Sequence, residues 1–177
     1  MDTSEHQRKF AEWTGEHGAI LHHVVNGFAS GADRHDLRQE VMLAVWKSIP
    51  AYRGQAKPTT YLYRVCHNAA LMWKRSEKNY RHRIDRFTAE TREDAGMAIP
   101  PAVHRGSGAE ERLELLYAAI HRLKLLDRSL ILMWLDGLSY HEMAEILGLT
   151  EGNVGIKINR IKGQLTQTLK GNDHGPR

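Results

Sequence analysis

The sequence predicts an all-α protein built from two small helical domains joined by a flexible linker, the second of them a helix-turn-helix domain. Three observations carry this expectation. Apolar residues recur at spacings of three and four along both halves of the chain, the period of an amphipathic helix. Between Phe87 and Ala109 that pattern dissolves into mixed charge with Gly96, Pro100, Pro101, Gly106 and Gly108, which reads as an interdomain linker. Residues 138–165, LSYHEMAEILGLTEGNVGIKINRIKGQL, combine a small residue, a glycine four positions later and an apolar residue six beyond it, the pattern of two helices crossing at a tight turn.

The elements follow in order. From Arg8 to about Phe28 the residues Phe10, Trp13, Ile20, Leu21, Val24, Val25 and Phe28 mark one helical face, weakened by Gly15 and Gly18. The SGAD turn, with Asp33 as cap, opens a second helix on Leu37, Val41, Ala44, Val45 and Ile49, which Pro50 stops. AYRGQAKPT reads as a loop, and Thr59 or Thr60 caps a third helix. The inward stripe of that helix is Leu62, Val65, Cys66, Ala69, Met72 and Trp73. Tyr61, Arg64, Asn68 and Arg75 share a second face, and Tyr63, His67 and Lys74 a third. Basic residues continue as Lys78, Arg81, His82, Arg83 and Arg86. The linker is drawn from Arg81 through Ala109, giving domains 1–80 and 110–177. Helices from about Glu110 to Leu126 and from Asp127 to Leu135 precede the helix-turn-helix.

Within that stretch Ser139 and Glu142 have the spacing of a capping box, and Met143, Ala144, Ile146 and Leu147 form the buried side. Gly148 stands where the turn needs a residue tolerant of positive φ, and Leu149 fills the space beneath it. Thr150 caps a second helix with Val154, Ile158, Ile161 and Leu165 inward and Asn153, Ile156, Lys157, Asn159, Arg160 and Lys162 outward. Such a face fits the major groove, where Lys or Arg reads guanine and Asn reads adenine. Small helical bundles with no role on DNA can share the pattern.

Composition narrows the chemistry. The chain has 177 residues, 41% hydrophobic and 26% charged, an ordinary globular balance. A net charge of +4 and a pI near 9.3 favour an anionic partner, nucleic acid first and an acidic protein surface second. The single cysteine, Cys66, excludes an internal disulfide and any Cys-pair zinc site and suits a reducing compartment. MDTSEHQRKF lacks the apolar core of a signal peptide, and no run approaches a membrane span of roughly 18 apolar residues, so the expected location is the cytoplasm, with no membrane insertion. HEMAE resembles half of a zinc-protease motif, but Glu145 stands where the second histidine belongs, and the eleven histidines form no ligand-spaced cluster. With no nucleophile elbow, phosphate loop or triad order either, the reading assigns no catalytic residue, metal or cofactor.

Two separated segments resemble one family. ADRHDLRQEVMLAVWKSIPAYRGQAKPTTYLYRVCHNAALMWKR resembles region two of bacterial extracytoplasmic-function (ECF) sigma factors, and LDRSLILMWLDGLSYHEMAEILGLTEGNVGIKINRIKGQL resembles their region four. The resemblance implies a subunit that docks on the clamp and flap of core RNA polymerase and confers promoter specificity. Its first domain captures the non-template strand of the minus-ten element, and its second reads the minus-thirty-five duplex. Rings interleaved with cations suit unpaired bases and phosphates, each stacked base contributing about 1–3 kcal/mol.

Carried over, the resemblance sets Asp36, Gln39 and Glu40 against the polymerase clamp, and Tyr52, Arg53 and Gly54 in the loop that receives a flipped base. Tyr61, Arg64, Asn68, Lys74 and Arg75 fall on the strand or its phosphates. Asn153, Ile156, Lys157, Asn159 and Arg160 face the duplex, Lys157 and Arg160 foremost. Plainer readings stand beside these. Trp46 and Trp73 lie on apolar stripes and read as core; Tyr61 either meets a base or covers the surface; Lys78 to Arg86 is either strand-binding or a solvated basic run; the Asp36 face is either a docking face or simply wet. The chain departs from the family at Arg34 and His35, where acids are common, at Gly155, a position often basic, and in RLKLLDR, which lacks a frequent Leu-Pro. An anti-sigma protein is a further partner the family admits. The alternative is a stand-alone helix-turn-helix regulator.

Linker geometry bears on the two-site reading. Elements two helical turns apart lie roughly 70 Å apart, whereas a 29-residue linker averages roughly 30 Å as a coil and reaches near 100 Å extended.

Overall fold

A computed structural model describes the backbone over residues 3–90 and 108–172, and side chains over 3–79 and 108–170. Among the described residues the chain folds as α1 (Thr3–Glu16), α2 (Gly18–Phe28), α3 (Asp33–Ser48), a 3₁₀ turn (Ile49–Ala51), α4 (Pro58–Glu90), α5 (Gly108–His121), α6 (Leu125–Leu135), α7 (Tyr140–Leu147) and α8 (Glu151–Asn172), with no strand. The all-α expectation therefore holds.

The first four helices enclose Trp13, Val24, Phe28, Leu37, Val41, Val45, Leu62 and Cys66, all buried. Six of these lie on the faces that periodicity picked out for the first two predicted helices. The expected single helix over 8–28 is instead two, broken at His17 between Gly15 and Gly18, where φ is −119° and ψ 18°. Asp33 is not a cap: Ala32 flanks the helix, and Asp33 and Asp36 place negative charge in its first turn. Nor does a threonine open α4. Pro58 takes the first helical position, where a missing N–H costs nothing, and Thr60 is buried. The helix runs to Glu90, ten residues into the stretch read as linker from Arg81; residues 91–107 of that stretch lie outside the described residues.

The α5–α6 boundary is earlier than expected. Arg128 reaches back from α6, donating from Nε to the Leu123 carbonyl at 3.1 Å and from Nη2 to the His121 carbonyl, so it caps the end of α5. The second group of helices then closes on Ile120, Leu130, Ile131, Met133, Met143, Val154, Ile158 and Ile161, all buried.

The two helical groups pack together. α2 lies against α5 and α6, and α4 against α6 and α7. Gly27 meets Leu132 so closely that a Cβ there would fall 2.4 Å from Leu132 Cδ1. Around this contact His121 Nε2 bonds the Asn26 carbonyl at 2.7 Å, His67 Nδ1 pairs with Ser129 Oγ at 2.9 Å, and His23 pairs with Asp136. Arg34 holds Glu114 at 3.2 Å and Lys57 holds Glu142 at 3.0 Å. This seam corrects the reading of α4. Tyr63 and His67, placed on a third face apart from the inward stripe, are 1% and 4% exposed, while Met72, placed inward, is 68% exposed. His67 turns inward against Ser129 of α6, a partner far away in sequence, and Phe28 of α2.

Candidate nucleic-acid interface

The turn between α7 and α8 is built by its own residues. Ser139 Oγ accepts the Glu142 N–H at 3.2 Å, and Glu142 Oε2 accepts the Ser139 N–H at 3.0 Å, a reciprocal capping box. The Ser139 N–H, with Lys57 second, holds the Glu142 carboxyl at about 2, well below the usual range. Gly148 ends α7 at φ +67°, the left-handed conformation the turn requires, and its N–H bonds the Ala144 carbonyl. Leu149 N–H bonds the same carbonyl at 3.0 Å. Thr150 Oγ1 accepts the Asn153 N–H at 3.3 Å and caps α8.

Val154, Ile158, Ile161 and Leu165 anchor α8 from within, as their spacing predicts. Asn153, Ile156, Asn159 and Arg160 are exposed and Lys157 is half-buried, so all five predicted residues lie on one helix, with Lys157 at the edge of its outward face. Ile156, 72% exposed, is an apolar residue offered to solvent where a thymine methyl would suit it. Two of the helix's cations are held in place. Arg160 Nη2 donates to Asp127 Oδ2 at 2.8 Å, and Lys162 Nζ lies 4.5 Å from the centre of the Trp134 ring. Gly155 is occupied in another way: the Tyr140 ring from α7 rests against it, 3.3 Å from where a Cβ would stand. Asp127 and Tyr140 were not singled out by sequence, since neither lies on the recognition helix.

On the other helical group, Arg64, Asn68 and Arg75 are exposed at spacings of four and seven on α4, one continuous face. Lys74 is committed elsewhere: it bonds Glu77 at 2.7 Å and lies 4.9 Å from the Trp73 ring centre. Tyr52 and Tyr61 are half-buried and cluster with Trp13, their ring centres 4.9 Å apart and 5.1 and 5.8 Å from the Trp13 ring. Both hydroxyls donate to carbonyls, Tyr52 to Ala56 at 2.8 Å and Tyr61 to Ser48 at 2.9 Å, which fixes the rings beside the loop of Arg53 and Gly54. Gly54 takes φ +73° there, and Arg53 is exposed. Trp46, half-buried, stacks on His6 with ring centres 4.0 Å apart and so packs within the first helical group.

Asp36, Gln39 and Glu40 are all exposed on α3. Leu43, 45% exposed, continues their stripe at the next helical spacing and joins them as a surface residue that sequence reading passed over. Arg34, one of the family departures, does not face solvent with this stripe but pairs with Glu114 across the seam.

Comparison with known proteins places this geometry. Residues 16–80 match the family description Sigma-70 region 2, and residues 113–165 match Sigma-70, region 4. The ECF RNA polymerase sigma-E factor of Haemophilus influenzae is 28% identical over 154 residues, covering 83% of this chain and 80% of that protein. The RNA polymerase sigma factor YlaC of Bacillus subtilis is 25% identical over 139 residues, covering 76% of each chain. Among solved structures, the sigma factor RpoE of Bartonella quintana in complex with the anti-sigma factor NepR superposes with a TM-score of 0.62 at 21% identity, over 90% of this chain and 98% of that one. CnrH in complex with the cytosolic domain of CnrY gives 0.63 at 20% identity, over 93% and 90%. These two share the fold. The chain belongs to the sigma-70 family. Within it the chain is an ECF sigma factor, which binds core RNA polymerase and directs promoter recognition and transcription initiation. A stand-alone regulator is not favoured, because region 2 is matched as well as the helix-turn-helix.

Proposed function

We propose a division of labour among the residues of this sigma factor. α8 enters the major groove of the minus-thirty-five element, with Asn153, Ile156, Asn159 and Arg160 toward base edges and Lys157 toward base or phosphate at the groove's rim. Arg64, Asn68 and Arg75 track the non-template strand of the minus-ten element, and Tyr52, Arg53 and Tyr61 border the place of a flipped base. Lys74, bound to Glu77, contributes once that pair exchanges for a phosphate. Asp36, Gln39, Glu40 and Leu43 face the polymerase clamp. The observation that carries the reading is the coexistence of a recognition helix capped by Thr150 with a separate exposed basic face on α4, since duplex readout alone needs only the first.

The protein acts in the cytoplasm, has no catalytic activity of its own, and is held by an anti-sigma protein, as the structurally similar sigma factor RpoE is bound by the anti-sigma factor NepR. Among the described residues no helix is long and apolar enough to cross a membrane. The domains we propose are 1–80, for the minus-ten element and the clamp, and 110–177, for the minus-thirty-five element and the flap, with the intervening linker spanning both on polymerase. The test is transcription from fragmented genomic DNA by core polymerase with this protein added. New transcript starts sharing a two-part upstream element are expected, and Lys157→Ala with Arg160→Ala should reduce them at least tenfold; unchanged starts in that double variant would refute the assignment of α8.

A further inference from the structure

The best-placed cation of the recognition helix is held by a residue outside it. Asp127 lies in the first turn of α6 with its side chain 7% exposed, and its Oδ2 accepts from Arg160 Nη2 at 2.8 Å, while the Arg160 side chain is 53% exposed. A tie serving stability alone has no need of a guanidinium half in solvent, and buried ion pairs are weak sources of stability in any case. Arginine has five N–H donors in a planar fork, so a bond through one nitrogen restrains the group and leaves the other donors to a ligand. Bidentate reading of guanine needs that plane already set, because a freely rotating arginine gives up conformational freedom at each contact. The surroundings also favour selectivity. Asp127 and Arg160 share a cleft with Arg122, Lys124, Gln164 and Thr168, so one carboxylate is set among three cations.

We propose that Asp127 is a positioning residue for promoter recognition: it presents the Arg160 guanidinium in the orientation that reads a base of the minus-thirty-five element, and its own charge disfavours loose association with phosphates. The proposal rests on the assignment of Arg160 to that duplex and deepens it. Its charge effect sets it apart from a plain structural role. Losing the carboxylate should lower discrimination between sequences while leaving or raising affinity for any duplex, whereas a damaged domain loses both.

The experiment uses holoenzyme, core polymerase with the full chain, and measures its affinity for a promoter fragment and for the same fragment with the minus-thirty-five element scrambled. Thermal midpoints are taken in parallel. Asp127→Asn, nearly isosteric, is expected to lower the ratio of the two affinities roughly five- to tenfold, with scrambled-fragment affinity equal or higher. Asp127→Glu should recover part of the ratio. In an Arg160→Ala background Asp127→Asn should change the ratio no further. A ratio within twofold of the unaltered protein in Asp127→Asn would overturn the proposal, as would an equal loss on both fragments accompanied by a lowered midpoint. If Arg160→Ala itself leaves the ratio unchanged, the assignment of Arg160 falls, and the proposal with it.

Discussion

Gly148 and Gly163 are the same residue under opposite demands. Gly148 adopts φ +67° with open space around its Cα, so a methyl group there meets no neighbour but must sit in a left-handed conformation that costs an L-residue about 1–2 kcal/mol. Gly163 lies exposed in the middle of α8 with nothing near it, where alanine gains up to about 1 kcal/mol of helix propensity. Gly148→Ala should therefore lower the thermal midpoint by several degrees and Gly163→Ala should raise it. Differential scanning calorimetry of the two variants checks this, and equal shifts of one sign would contradict the turn geometry.

At the scale of the element, what periodicity and capping chemistry control was legible and what distant partners control was not. The α7–α8 pair was readable in full because Ser139, Glu142, Gly148 and Thr150 act within a few residues, and the inward residues of α8 follow from spacing alone. The burial of His67 on α4 was misread because its partners, Ser129 of α6, 62 residues away, and Phe28 of α2, leave no trace in the periodicity of α4 itself. The α5–α6 break was placed a few residues late, at Leu126–Asp127 rather than after His121, since a side chain capping the preceding helix leaves no periodic trace. Arg128 makes that break by bonding two carbonyls at the end of α5. Replacing it with Met keeps the packing stem and removes both bonds; a loss of about 1–3 kcal/mol is expected, with faster amide exchange in the last turn of α5. Of the predicted contact residues, most were legible as exposed, but the commitments of Lys74 to Glu77 and of Arg160 to Asp127 arise only from the folded arrangement of the helices.

Across the whole molecule, the seam between the helical groups is lined by histidines. Burial pushes His67 down to about 4 and lowers His121, against which the Asn26 carbonyl works, while Arg128, Lys74 and Arg34 add to the lowering. The unfolded chain takes up a proton near the ordinary 6.5, so the stability tied to a neutral His67 is full above that value and is lost as pH falls toward 4, at most about 3 kcal/mol. Urea denaturation at pH 7 and at pH 5 should show that loss, and His67→Gln, which keeps a partner for Ser129 without titrating there, should make it smaller. The seam also bears on promoter reach, because two elements roughly 70 Å apart call for separated domains. On the two-element reading proposed above, core polymerase is the scaffold that would hold the two helical groups apart. The most direct measurement is a footprint of the reconstituted holoenzyme on a promoter, read with a duplex nuclease upstream and with permanganate for unpaired thymines downstream. The account predicts that Lys157→Ala with Arg160→Ala erases the upstream protection, and that Arg64→Ala with Arg75→Ala suppresses the downstream reactivity while leaving the upstream protection in place. Upstream protection and downstream opening that survive both pairs of substitutions would contradict it.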